Sequence, residues 1–167
     1  MSGVIDEMTS AHWELVRSIY LEGIATGNAT FETQAPAWES WDAAHLTHSR
    51  LIVRVGGTIC GWAALSRVSS RCVYGGVAEV SAYVGSNHRG KGFGRALLEA
   101  LVVSSERNGI WTLQAGVFPE NEASIALHEA CGFREVGRRE RIGKLSGRWR
   151  DTVLLERRSM IVGVDSG

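Results

Sequence analysis

A strand, a glycine-rich turn and an amphipathic helix follow one another directly between Val77 and Asn108. The turn carries three glycines and three cationic residues, namely Gly90, Gly92, Gly94, Arg89, Lys91 and Arg95. Glycines lack the Cβ atoms that would block a ligand, so consecutive backbone N–H groups can point into one small space. The positive end of the helix dipole meets the same space. This stretch therefore predicts a binding site for a pyrophosphate.

Two common phosphate-binding designs fit this turn poorly. The residues from Gly85 to Lys91 match the P-loop pattern G-x-x-x-x-G-K, but Gly92 stands where a Ser or Thr would hold magnesium. The dinucleotide pattern G-x-G-x-x-G would start at Gly90 and needs a glycine where Arg95 stands. Neither a nucleotide hydrolase nor a dinucleotide-binding domain is favoured.

A third pattern, Arg-x-x-Gly-x-Gly, is filled by Arg89, Gly92 and Gly94. It resembles the acyl-coenzyme A loop of the GCN5-related N-acetyltransferases. The alternative is a glycine-rich connection without a ligand, although a plain turn needs one glycine and no interleaved cations. The resemblance implies that the coenzyme is held along the whole loop, by Arg89, Gly90, Lys91, Gly92, Phe93, Gly94 and Arg95.

Length and composition limit the remaining possibilities. The 167 residues predict a single domain over 1–160 with a tail over 161–167. Lys plus Arg equals Asp plus Glu at 18 each, so no overall field attracts nucleic acid or a membrane. The arginines concentrated between 134 and 150 are interpreted as the solvated face of two strands, with a nucleic-acid patch as the alternative. Three cysteines without C-x-x-C spacing support neither a disulfide framework nor a metal site. The first residues lack the pattern of a signal peptide, so we expect a cytoplasmic protein.

Hydrophobic periodicity and turn residues predict the order β-α-α-β-β-β-α-β-α-β-β. Gly56-Gly57 marks a hairpin, Pro36 opens a helix carrying Trp38, Trp41 and Leu46, and Asn121 caps a helix that Gly132 ends. This order predicts an α/β (α+β) fold in which about four helices flank a mixed, mostly antiparallel sheet of about seven strands. The acyl-CoA N-acyltransferase (GNAT) fold has the same order.

Several further segments are similar to one branch of that superfamily, the phosphinothricin or methionine sulfoximine N-acetyltransferases. They read IATGNATFET at 24–33, GWAALS at 61–66, AEVSAYV at 78–84, NEASIALHEACGF at 121–133 and GRWRDT at 147–152. The similarity extends over most of the chain, and the TFE segment and the histidine of LHE narrow it to this branch. It implies an acetyl-CoA-dependent acyltransferase that needs no metal, and a homodimer.

The transfer of an acetyl group to an α-amine needs a base, because the amine is mostly protonated near neutral pH. Glu79 lies in the middle of a predicted strand, and the pattern alone leaves open whether it is this base or an edge glutamate facing water. The resemblance implies that it is catalytic. His128 lies seven residues after Asn121 on the predicted helix, and the resemblance implies a second catalytic residue there. Imidazole can act as acid or base near neutral pH, so the division of roles stays open.

The resemblance also implies where the two substrates bind. Backbone N–H groups of Ala82, Tyr83 and Val84 would receive the thioester and pantetheine, and Asn121 would touch the pantetheine arm or serve only as a cap. A zwitterionic amino acid calls for arginine, for which Arg67 and Arg71 are candidates. Phe31 and Glu32 would shape the amine end. Each of these four residues has a solvated surface position as its alternative.

We therefore expect an N-acetyltransferase for the α-amine of a small amino-acid analogue such as phosphinothricin, methionine sulfoximine or methionine sulfone. No cysteine lies in the motif, which favours direct transfer in a ternary complex over a covalent acyl-enzyme. The alternatives are an N-acetyltransferase for a polyamine, an aminoglycoside or a protein N-terminus, and a non-catalytic acyl-CoA-binding sensor. Because a sensor needs only the loop, the presence of both Glu79 and His128 argues against it.

Overall fold

A computed structural model describes residues 2–165, where it shows one seven-stranded sheet and four α-helices. In chain order the elements are β1 (Val4–Glu7), α1 (Trp13–Ala25), α2 (Trp38–Ala44), β2 (Leu51–Val55), β3 (Thr58–Arg67), β4 (Val77–Val84), α3 (Phe93–Arg107), β5 (Thr112–Val117), α4 (Glu122–Ala130), β6 (Arg134–Leu145) and β7 (Arg148–Arg158). The predicted fold class and element order are confirmed.

The strands lie in the order β1-β2-β3-β4-β5-β7-β6, and every neighbouring pair is antiparallel except β4 and β5. A parallel pair needs a crossover, and α3 supplies it. The glycine-rich turn between β4 and α3 therefore lies at the end of β4 where the parallel pairing has already stopped.

Two hydrophobic cores lie on opposite faces of the sheet. On one face α3 and α4 pack over a cluster that includes Leu97, Leu101 and Leu155. On the other face α1 and α2 cover an aromatic cluster of Trp13, Trp41, Trp62 and their neighbours. The strand residues of this aromatic cluster belong to β2, β3 and β4, so the cluster does not extend over β5–β7 on that face.

The end of α2 differs from the sequence prediction. Leu46, expected in that helix, lies beyond its last residue Ala44, and its N–H donates instead to the carbonyl of Leu65 at 2.8 Å. The Arg50 side chain donates to the carbonyl oxygens of Asp42, His45 and Leu46. The bond to Leu65 and the nearby bonds from Arg50 satisfy the groups at the helix end and stop the helix before Leu46.

The segment after β7 is held by one arginine. Arg158 donates to the carbonyl oxygens of Ser159 and Val162 at 2.9 and 2.8 Å and also to that of Gly163. Residues 166 and 167 of the predicted tail lie outside the described residues.

Candidate active site

Strands β4 and β5 separate after a short paired stretch, and this separation creates the site. They pair only from Val77 to Glu79, opposite Thr112 to Gln114, although both strands continue beyond. In a ladder, alternate backbone groups of a strand point to each neighbour. Beyond Glu79, half of the backbone N–H and C=O groups of β4 point away from β3. These groups therefore face the gap and have no partner strand. Unpaired N–H groups of this kind are ready donors for a bound ligand.

A cleft of about 730 Å³ runs through this gap. Its walls are parts of residues 23–31, 79–84, 115–118 and 120–128, joined by Arg89, Arg139, Ile142 and Thr152. The predicted residues Glu79, Ala82, Tyr83, Val84, Arg89, Asn121, His128 and Phe31 all line it. A cleft of this size suits a small substrate together with the reactive end of a larger one.

Glu79 enters the cleft from the face of the sheet that α1 covers. Its partner on β3 is Ser66, and its partner on β5 is Gln114, whose Nε2 donates to the carboxylate at 3.4 Å. The side chain is half-buried in the cleft wall and is not an edge glutamate in open water. The carboxylate is therefore positioned to accept a proton from a group bound in the cleft.

His128 enters from the opposite face, on α4. Only 5% of the residue is exposed, and its ring packs edge-on against Phe133. Its Nδ1 lies 2.7 Å from the carbonyl oxygen of Ser124, and because a carbonyl only accepts, Nδ1 must carry the proton. Burial lowers the pKa of His128, which leaves the ring neutral near pH 7 with Nε2 as an acceptor.

The glycine-rich turn has the backbone that its sequence predicts. Gly90 and Gly92 have φ values of 76° and 87°, and no atom lies within 4 Å of the position that a Cβ would occupy at either residue. Gly92 is also the N-cap of α3 and provides no side chain to cap it. The first N–H groups of α3 and the space above the two glycines form a cradle that fits an anion.

The other residues of the turn have different surroundings. Arg89 lines the cleft and donates to the carbonyl of Val84 at 3.3 Å, whereas Arg95 is exposed and pairs with Glu99 at 2.8 Å. The Phe93 ring is buried in the core, so this residue offers only its backbone to a ligand. A Cβ at Gly94 would lie 3.1 Å from Leu127, so this glycine allows α3 to approach α4.

The predicted substrate residues are only partly brought together. Phe31 lines the cleft, where its ring meets Phe118 at a centroid distance of 4.9 Å. Glu32 lies outside it, in a neighbouring depression of about 510 Å³. Arg67 and Arg71 are not part of the cleft wall. Arg67 pairs with Ala78, which is buried on the face opposite Glu79, and Arg71 lies in an exposed loop over the ring of Tyr74.

One arginine that the sequence did not single out ties the cleft walls together. Arg150 donates to the carbonyl of Gly27 at 2.9 Å and to Oδ1 of Asn28 at 2.8 Å, and it pairs with Glu120 at 3.2 Å. Its guanidinium lies 4.1 Å from the centre of the Phe118 ring. Asn121 supports the same wall, since its Nδ2 donates to the carbonyl of Asn28 while its Oδ1 caps α4 at the N–H of Ser124.

Comparison with known proteins agrees with this geometry. The model of the Acetyltransferase (GNAT) family matches residues 13–133. The chain belongs to the GNAT family of acetyltransferases. It is 34% identical over 151 residues to a phosphinothricin N-acetyltransferase of Alcaligenes faecalis, covering 85% of this chain and 75% of that protein. It is 33% identical to the L-methionine sulfoximine/L-methionine sulfone acetyltransferase of Salmonella typhimurium, over 64% of this chain and 62% of that protein.

A solved GNAT structure has the same architecture. The phosphinothricin acetyltransferase of Sinorhizobium meliloti, crystallised with acetyl-CoA, superposes with a TM-score of 0.90 at 28% identity, covering 99% of this chain and 93% of that one. The present chain is thus a GNAT-type N-acetyltransferase that uses acetyl-CoA. Residues 2–165 contain no helix long and apolar enough to cross a membrane.

Proposed function

We propose that this enzyme acetylates the α-amine of a small amino-acid analogue such as phosphinothricin, methionine sulfoximine or methionine sulfone. The observation that carries the proposal is that Glu79 and His128 reach one cleft from opposite faces of the sheet, at the point where β4 and β5 separate. The named relatives from Alcaligenes faecalis and Salmonella typhimurium support this class of substrate.

Acetyl-CoA would supply an activated acetyl thioester. The N–H groups of the turn from Arg89 to Arg95 would hold its diphosphate, and those amides of Ala82, Tyr83 and Val84 that point away from β3 into the gap would hold its thioester and pantetheine arm. Such donors are fixed by the sheet before the reaction, so they need no reorganisation as charge develops on a carbonyl oxygen. The open cradle above Gly90 and Gly92 fits this assignment. Asn121 would add a contact from its remaining amide N–H.

Glu79 would take the proton from the substrate ammonium group and so release the attacking amine. His128, neutral and with an unprotonated Nε2, would accept at that nitrogen the proton that the attacking amine loses as the C–N bond forms, and would donate it to the sulfur of the departing coenzyme A thiolate as the C–S bond breaks. The fixed Nδ1–H bond to Ser124 favours this order, because it prevents Nε2 from carrying a proton at the start. The amine and the acetyl donor would be bound together, and the acetyl group would pass directly between them.

Thiol release from acetyl-CoA, measured across a panel of amines, tests the proposal. We expect turnover with phosphinothricin, methionine sulfoximine and methionine sulfone that exceeds turnover with spermidine, an aminoglycoside and a peptide N-terminus. A preference for any of the last three would refute the substrate class.

We also propose a cytoplasmic homodimer, and a monomeric mass in light scattering at assay concentration would refute the dimer.

A further inference from the structure

Only two cations, Arg89 and Arg139, are part of the cleft wall within residues 2–165. Arg89 directly precedes the glycine cradle and donates to Val84, so it belongs to the coenzyme end of the cleft. Arg139 lies on β6, and no side-chain hydrogen bond or ion pair joins it to another described residue. Two other arginines of the β6–β7 hairpin have acidic partners, since Arg138 pairs with Asp151 and Arg150 pairs with Glu120.

Arg139 lies on the same face of the sheet as Glu79. Glu79 is level with Gln114 of β5, which is level with Glu156 of β7. Side chains alternate along a strand, so Thr152, four residues before Glu156, shares that face. Thr152 is directly opposite Arg139 and also lines the cleft. The base and the unpaired cation therefore lie on one wall, away from α3 and α4.

The backbone next to Arg139 is shaped toward the cleft. The register of β6 shifts between Arg139 and Gly143, where the two strands lose their regular one-to-one pairing. Such bulges redirect side chains near active sites. Here Ile142 lines the cleft and Gly143 packs against the Phe31 ring, with 3.1 Å separating that ring from a Cβ placed at this glycine. Arg139 itself is exposed at the cleft, close in the chain to these apolar contacts, so its guanidinium is open to an incoming anion.

We infer that Arg139, with the Thr152 hydroxyl beside it, binds an anionic group at the far end of the substrate side chain. The inference rests on the proposed function, which places the substrate amine at Glu79. Strand β6 is three strands away from β4, so Arg139 is remote from the amine. An α-carboxylate is attached to the same carbon as the amine and stays near Glu79. The distal group of the side chain is the part that can extend toward β6, and a phosphinate or carboxylate there suits a guanidinium.

Two substrates with the same α-amino-acid head separate this role from others. Phosphinothricin ends in an anionic phosphinate, and methionine sulfone ends in an uncharged sulfone. We expect Arg139→Gln to lower kcat/KM for phosphinothricin about 10- to 100-fold, mainly through KM, because one charge-assisted contact is lost. The kcat/KM for methionine sulfone should change by less than about twofold. Arg139→Lys should recover part of the loss, because it restores the charge without the planar fork.

Arg138→Gln is the matched control, because Arg138 is the adjacent residue on the same strand, points to the opposite face and has an acidic partner there. This substitution should leave kcat/KM unchanged for both phosphinothricin and methionine sulfone. An equal loss for both substrates in Arg139→Gln would show a structural role and overturn the inference, and so would the absence of any loss. If the wild type acetylates methionine sulfone alone, the proposed function stands and the inference falls. If it acetylates neither, both fall together.

Discussion

At the scale of single residues, Glu79 presents a carboxylate to the cleft with Gln114 as its hydrogen-bond partner. Glu79→Gln keeps the shape and removes the proton acceptor. We expect turnover to fall about 100-fold or more when the pH is below the pKa of the substrate amine, and to recover above it, because the amine is then already a free base. The KM for acetyl-CoA should stay nearly constant. Thiol release followed as a function of pH measures both effects.

Glu156→Gln provides the control for that experiment, because Glu156 lies level with Glu79 two strands away and outside the cleft wall. Its turnover should match the wild type. If Glu79→Gln keeps full turnover at every pH, water or His128 is the base, and the proposed division of roles is wrong.

His128 should also leave a signature in stability. Burial lowers its pKa below the usual value of 6.5, so between the two values the unfolded chain binds a proton that the folded chain does not. The wild type should therefore lose stability as the pH falls below about 6.5, by at most about 1.4 kcal/mol per pH unit from this group. His128→Gln should lack this component. Urea unfolding near pH 7.5 and near pH 5.5 checks it, and parallel pH dependences of the two proteins would contradict it.

At the scale of elements, α3 has one glycine in the left-handed region at each end. Gly92 precedes the helix with φ 87° and Gly109 follows it with φ 78°, and neither has an atom within 4 Å of its Cβ position. Alanine costs about 1–2 kcal/mol of backbone strain at either residue. Only Gly92→Ala should also raise the KM for acetyl-CoA, by about tenfold or more, which corresponds to one lost hydrogen bond of about 1.4 kcal/mol.

Initial rates at varied acetyl-CoA, together with urea unfolding, separate these effects. Gly109→Ala should match Gly92→Ala in stability but keep the wild-type KM. Equal KM values for the two variants would mean that the turn does not hold the coenzyme.

Local sequence signals account well for these elements. The pattern predicted α3 from about Gly92 to Asn108, and the helix extends from Phe93 to Arg107, because a glycine stops it at each end. Asn121 caps α4 as expected. The register shift between Arg139 and Gly143 was not predicted, because it depends on how β6 pairs with β7, although the glycine at its end is a residue type that often marks a bulge. The sequence pattern also misses the early end of α2, because side-chain bonds from Arg50 and the bond from Leu46 to Leu65 determine it from outside the helix.

At the scale of the whole molecule, Arg150 joins three segments that are far apart in the chain, at Gly27–Asn28, at Glu120 and in β7. Arg150→Met keeps a side chain of similar length but loses these contacts. We expect KM for the amine to rise about tenfold or more, because the wall that contains Phe31 is released, while KM for acetyl-CoA changes little. Steady-state kinetics with each substrate varied in turn measures this.

Arg158→Met is the matched control, since Arg158 lies on the same strand and makes an equally large set of bonds to the segment after β7. It should lower stability without changing either KM. A similar rise of the amine KM in both variants would mean that general loosening, and not the Arg150 contacts, is responsible.

Sequence patterns were enough to predict the order of elements, the glycine turn and the cap of α4. These features depend on backbone conformation and periodicity over a few neighbouring residues, which a local pattern records. Glu79 and His128, which both line the cleft, were predicted from the family resemblance and not from periodicity. The choice of arginines in the cleft wall, in contrast, emerged only from the folded chain. Arg67 and Arg71 lie away from the cleft and Arg139 lies in it, because strand register, the β6 bulge and the separation of β4 from β5 fix where each side chain points. Those are properties of pairs of strands, and no single strand encodes them.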